Sequence, residues 1–120
     1  MACKRLEAVE PEAIHAIQSG GNHYSFVALW ELAIKSALRK VTLAIDGNRT
    51  TAREFVLAAA KRLQLAPIPL EFDDFADVES LPYHHKDPFD RLLVVQATRR
   101  AIPIISSDAV FEQYGVRRVW

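Results

Sequence analysis

Residues 82–97 read PYHHKDPFDRLLVVQA, and this stretch decides the architecture because it marks the start of a helix twice over. Asp87 has a side chain that can accept from the first free backbone N–H groups of a helix. Pro88 fits the first turn, where its φ is already set and its missing N–H costs nothing. Asp90 then falls inside that first turn, beside the positive end of the helix dipole. The pattern predicts a helix over residues 87–100, DPFDRLLVVQATRR, with Arg99 and Arg100 suited to its C-terminal end.

Working outward, residues Ile102 to Ile105 form an apolar strand interrupted by Pro103, AVFEQY a short helix and VRRVW a final strand. Upstream, DDFADVESL reads as a short acidic helix and Ile68 to Phe72 as a strand. AREFVLAAAKRLQL reads as a helix opened by Thr50 or Thr51 and ended by Pro67 and Pro69. Its apolar residues Phe55, Val56, Ala59, Ala60 and Leu63 share one face. Asp46, Gly47 and Asn48 make a turn. His23 to Val27 is a strand feeding the helix LWELAIKSALRK, whose Leu29, Leu32, Ala33 and Ala37 lie along one side. Residues Pro11 to Ser19 form a first helix that Gly20 and Gly21 can end. Strands and helices alternate throughout, which predicts an α/β domain with a mainly parallel sheet covered by helices on both faces.

Composition sets the outer limits. A chain of 120 residues, half hydrophobic and a quarter charged, predicts one soluble globular domain spanning residues 1–120. Lys plus Arg and Asp plus Glu number 15 each, so the net charge singles out no polyanionic partner, although local patches matter more than the sum. Cys3 is the only cysteine, which excludes an intrachain disulfide, and a reducing cytoplasmic location is expected. No apolar run reaches the roughly 18 residues of a membrane span, and MACKRLEAVEPEA lacks the hydrophobic core of a secretory signal.

Three carboxylates stand where an α/β sheet places its sites. Glu31 and Asp108 each lie just beyond a predicted strand, and Asp90 opens a helix expected to enter from the same side. Acids brought together from separated segments repel one another, and a divalent cation resolves the conflict. Mg²⁺ held by one or two carboxylates keeps waters and accepts phosphate oxygens, so the reaction class that suits such a cluster is phosphodiester hydrolysis. Each acid also has a local structural role open to it. Asp90 favours the helix dipole, Glu31 can pair with Lys35 at i+4, and Asp108 can cap the following helix together with Ser106. Asp87 is read as a helix cap. Adjacent His84 and His85 cannot easily face one metal, so hydrogen bonding or shaping of the loop is expected of them. Trp30 and Trp120 are assigned to core or edge packing.

Three segments taken in order, SFVALWELAIKSALRK, LPYHHKDPFDRLLVVQA and PIISSDAVFEQYGVRRVW, resemble the PIN-domain ribonucleases, and specifically the VapC-type toxins of bacterial toxin–antitoxin pairs. The likeness runs from about Leu6 to Trp120. It implies a PIN-like three-layer α/β/α domain that cuts RNA with Mg²⁺ or Mn²⁺ held by acids. The family's metal-site glutamate falls on Glu31 and its helix-opening aspartate on Asp90. The aspartate after its penultimate strand falls on Asp108, and Ser106 matches a supporting hydroxyl residue. The resemblance also implies a homodimer and a cognate antitoxin as protein partner, with no membrane association.

The sequence departs from the family at its start. Such toxins begin with a short apolar strand ending in an aspartate, and MACKRLEAVE contains neither, so the usual first strand is expected to be missing. Ala28 also replaces a serine usual in the glutamate motif. A downstream-assigned start, a decayed gene, or completion of the sheet by another segment or chain would each account for this. The reading is a metal-dependent endoribonuclease toxin. The alternative is a catalytically impaired remnant that binds RNA or an antitoxin without cleaving. A phosphoacceptor domain ranks last, because no strand-end aspartate has a lysine suitably near.

Overall fold

Side-chain caps at Ser25, Thr51 and Asp87 fix three of the helix starts in the computed structural model, which describes residues 9–120. Cys3 and the opening stretch on which the missing-strand expectation rests lie at least in part outside the described residues. The elements run α1 (Pro11–Gln18), β1 (His23–Ser25), α2 (Phe26–Ala37), β2 (Ala44–Ile45), β3 (Asn48–Arg49), α3 (Ala52–Leu63), β4 (Ala66–Ile68), α4 (Phe72–Ser80), α5 (Pro88–Arg100) and β5 (Ile104–Ile105). A 3₁₀ helix, Ala109–Tyr114, and β6 (Arg118–Val119) complete the order. The fold is α/β, with helices and parallel strand pairs mixed along the chain.

The expected single sheet is instead three two-stranded sheets among the described residues. β1 pairs with β4 and β5 with β6, both parallel, while β2 and β3 are antiparallel. The antiparallel pair is a hairpin closed by Asp46 and Gly47, both at positive φ, the backbone that an Asp-Gly loop adopts most readily. Two strand boundaries move. Ser25 caps α2 by accepting from the Val27 N–H at 3.0 Å, so Phe26 and Val27 belong to the helix rather than the strand. Similarly, β4 ends at Ile68 and Phe72 opens α4.

The chain divides into two compact units. Gly20–Leu70 forms one of them. In it α2 packs on α3, and the buried residues are Val27, Glu31, Leu43, Ala52 and Ile68. Thr51 caps α3 through the Glu54 N–H, and Gln64 in the left-handed region ends it. The inward face of α2 runs through Val27 and Glu31, not through Ala33 and Ala37, which are exposed. The helix is apolar on more than one side, and Phe26, Trp30, Ile34 and Leu38, spaced four apart, are all exposed in this chain. Trp30, at 52% exposure, is therefore not a core residue of this chain.

The other unit comprises residues 9–19 and Glu71–Trp120. Its core is built on α5, where seven of 13 residues are buried. Val94 and Ala97 pack with Phe111 and Val116, and Leu81, Leu93, Ile102 and Ile104 close around them. The chain start is tied in by the Ala13 N–H, which donates to the Trp120 carbonyl at 3.0 Å.

Helix α4 is held to α5 by charge. Asp74 is fully buried, accepts the Glu71 N–H at 2.8 Å and meets the Arg99 guanidinium at 2.5 Å, while Arg100 pairs with Glu71. Burial pushes the Asp74 carboxyl up, but the Glu71 N–H and the Arg99 charge outweigh it and hold the group below its ordinary value. A carboxyl lowered on folding stabilises the native state above its unfolded value, about 4, and that contribution is lost as pH falls through the lower folded value. Urea midpoints followed downward from about pH 5 should therefore fall more steeply for the native protein than for Asp74→Asn. Parallel curves would remove Asp74 from the acid response.

Candidate functional site

The first turn of α5 assembles as its sequence dictates. Asp87 Oδ1 accepts from the Phe89 N–H at 2.9 Å and from the Asp90 N–H at 3.3 Å, with Pro88 between them at the first helical position. This cap directs Asp90 inward, and the residue is 1% exposed. A carboxylate so far from water requires polar partners. His85 supplies one, its Nε2 lying 3.1 Å from Asp90 Oδ2. The two histidines of the loop separate as the sequence implied, since His84 turns to the Tyr114 ring at 5.0 Å between centroids.

The loop between α4 and α5 is anchored by Arg91, the residue after Asp90. Its guanidinium is buried and donates to the carbonyls of Val78 at 3.1 Å, Leu81 at 3.2 Å and Pro82 at 2.9 Å, and more distantly to the Tyr114 hydroxyl at 3.4 Å. The guanidinium carbon also stands 4.2 Å from the centre of the Tyr83 ring. Planar, many-pronged donation of this kind is particular to arginine. The same side chain closes the carbonyl end of α4 and fixes the residues leading to His85.

His85, Asp87 and Asp90 each offer a ligand atom, and these atoms lie within 4.8 Å of one another. Two carboxylates and an imidazole form a donor set suited to a divalent cation of the Mg²⁺–Mn²⁺–Zn²⁺ range, with the nitrogen favouring the softer members. The residues present therefore fit such an ion.

The other two acids have identifiable local roles. Asp108 follows β5, is half-buried and is not a member of that cluster. Its Oδ1 accepts from the Val110 N–H at 3.0 Å and so caps the 3₁₀ helix. Ser106 Oγ accepts from the Asp108 N–H at 3.1 Å, and the Ser106 carbonyl takes an Arg118 N–H, so the hydroxyl residue shapes the turn that presents Asp108. Glu31 lies in the Gly20–Leu70 unit, buried at 7% exposure, with Oε2 3.3 Å from Lys35 Nζ. The expected i+4 pair is present, on a buried carboxylate.

Sequence reading missed two features of this region. Asp87 is both cap and neighbour of the Asp90 carboxylate, and Arg91 is an interior anchor rather than a solvated helix charge. Local signals for the first existed in the Asp-Pro-Phe-Asp spacing. The acceptors of Arg91 are nine to 23 residues away and left no mark on its own segment.

Among the described residues, no helix is long and apolar enough to cross a membrane. Comparisons with curated proteins and with solved structures returned no match. The PIN-domain family model matches residues 6–116, which takes in α1, the capped α5 with its buried Asp90, and the Ser106–Asp108 turn. By a match over nearly its whole length, the chain belongs to the PIN-domain family.

Proposed function

We propose that this protein is a metal-dependent endoribonuclease of the VapC toxin type. PIN domains are in general nucleases that bind divalent metals and act on RNA, and the family match supports that much directly. The observation that carries the proposal is Asp90: a residue 1% exposed, at a capped helix start, hydrogen-bonded by His85 and with the Asp87 carboxylate close by. Burying a carboxyl group away from water is costly unless it is paired, and convergent polar groups mark candidate functional sites.

Asp90 and Asp108 would hold the ion, with Glu31 counted among the ligands on the strength of its sequence motif and Ser106 supporting Asp108. Bound there, Mg²⁺ or Mn²⁺ would supply charge stabilisation at a phosphate and lower the pKa of a water. The protein's own part is to fix its carboxylates. The Asp87 cap sets the start of α5, Arg91 locks the approaching loop, and Ser106 holds the backbone of Asp108. A cytoplasmic location, a homodimer and a cognate antitoxin belong to the same proposal through the resemblance to VapC toxins.

Incubation with matched RNA and DNA pools in Mn²⁺ tests the substrate class. Cleavage of RNA in preference to DNA is expected, falling more than about 10-fold in both Glu31→Gln and Asp108→Asn. Equal cleavage by native protein and both variants would remove those two acids from the site.

A further inference from the structure

His85 is the side chain in this region whose placement the helix start does not explain. Asp87 has its cap to make and Asp90 its dipole to complement, but neither needs an imidazole. The backbone around His85 is nevertheless held from both directions. Arg91 binds the carbonyls of Leu81 and Pro82 before it, and Asp87 is engaged with the Phe89 and Asp90 N–H groups after it. Its neighbour His84 packs edge-on against Tyr114, so the two rings are committed to different partners. In this fixed loop Nε2 of His85 reaches Oδ2 of Asp90 at 3.1 Å.

The torsion that turns an aspartate carboxylate is broad and two-fold, so a first-turn Asp held only by its backbone leaves its oxygens poorly aimed. A hydrogen bond to one oxygen fixes the plane and therefore the direction of the other. We propose that His85 is a positioning residue for Asp90. Its Nε2–H donates to Oδ2 and so sets the plane in which the carboxylate meets a divalent cation. This rests on the reading of Asp90 as a metal-holding acid. Groups that orient a ligand in this way are commonly worth 10–100-fold in metal affinity.

Asparagine or glutamine can place an amide N–H near the position of a histidine nitrogen, whereas alanine cannot. Calorimetric titration of Mn²⁺ into the full chain, with melting temperatures beside it, therefore separates the roles. The native protein should bind Mn²⁺ and Asp90→Asn should not. His85→Ala should bind about 10–100-fold more weakly, and His85→Gln should recover to within a few-fold of native, all with similar melting temperatures. Native affinity in His85→Ala, with Asp90→Asn still deficient, would overturn the positioning role and leave the metal site standing. Loss in both His85 variants as complete as in Asp90→Asn would make His85 a direct ligand and likewise overturn it. Equal binding by native protein and Asp90→Asn would overturn the site and the positioning role together.

Discussion

Asp90→Asn is expected to lower RNA cleavage more than about 100-fold, since even residues that merely orient a metal ligand are worth 10–100-fold. The fold should survive it. Asparagine has nearly the same shape, and the α5 cap belongs to Asp87, whose bonds to the Phe89 and Asp90 N–H groups do not involve the altered side chain. The imidazole of His85 can either donate or accept at Nε2, so it can meet an amide as it meets a carboxylate. What is lost in stability is the favourable placement of a negative charge at a helix start, about 0.3–1 kcal/mol. Cleavage rate and melting temperature measured on one preparation check both halves. A variant that melts with the native protein and cleaves at the native rate would remove Asp90 from the chemistry.

Arg91 should carry the largest stability effect in the unit built on α5. Its guanidinium is buried and donates to three carbonyls, from the end of α4 through the start of the next loop. Hydrogen bonds to a charged group contribute about 1.5–3 kcal/mol each, non-additively, and removing the donor strands the acceptors. Arg91→Met should therefore cost about 3 kcal/mol or more, which for a domain of this size lowers the melting temperature by on the order of 10 °C. Arg91→Lys keeps the charge but not the planar fork, and should recover less than half of that loss. If Arg91→Lys melts with the native protein, the carbonyl contacts are not what holds the loop. Because the same loop carries His85, Arg91→Met should also weaken Mn²⁺ binding.

The contrast between these two residues shows what was legible before the structure. Asp87, Pro88 and Asp90 act on the turn in which they stand, so their spacing alone placed the start of α5 and the burial-bearing acid. The same holds for Thr51 at α3, for Asp46-Gly47 in the hairpin, and for the alternation that marks an α/β chain. Arg91 and Asp74 reach partners nine or more residues away and run against hydropathy, because each is a buried charge whose partners, rather than its own segment, place it in the core. Helix α2 was misread for a different reason. With Phe26, Trp30, Ile34 and Leu38 on one line and Val27 on another, the 3.6-residue period admits more than one inward face, and the one chosen by the fold carries Glu31. The sheet was the least legible element. Its strands are only two or three residues long, too short for any alternation to show which pairs would form.

For the candidate site, residue type was readable and company was not. Glu31, Asp90 and Asp108 were singled out by position and resemblance, and each proves to be buried or half-buried with an identifiable local partner. Hydrogen bonding or shaping of the loop is what the sequence suggests for His84 and His85 alike, and the partner of His85 lies five residues along the chain, reached from a loop that Arg91 fixes.

The most direct test of the central claim is cleavage of a mixed RNA pool by the 120-residue chain with Mn²⁺ added, with Mg²⁺ added, and with chelator in excess. The account predicts discrete cleavage products with either ion and none with chelator. Cleavage that persists undiminished in chelator, or a folded protein that cuts no RNA with either ion, would contradict it.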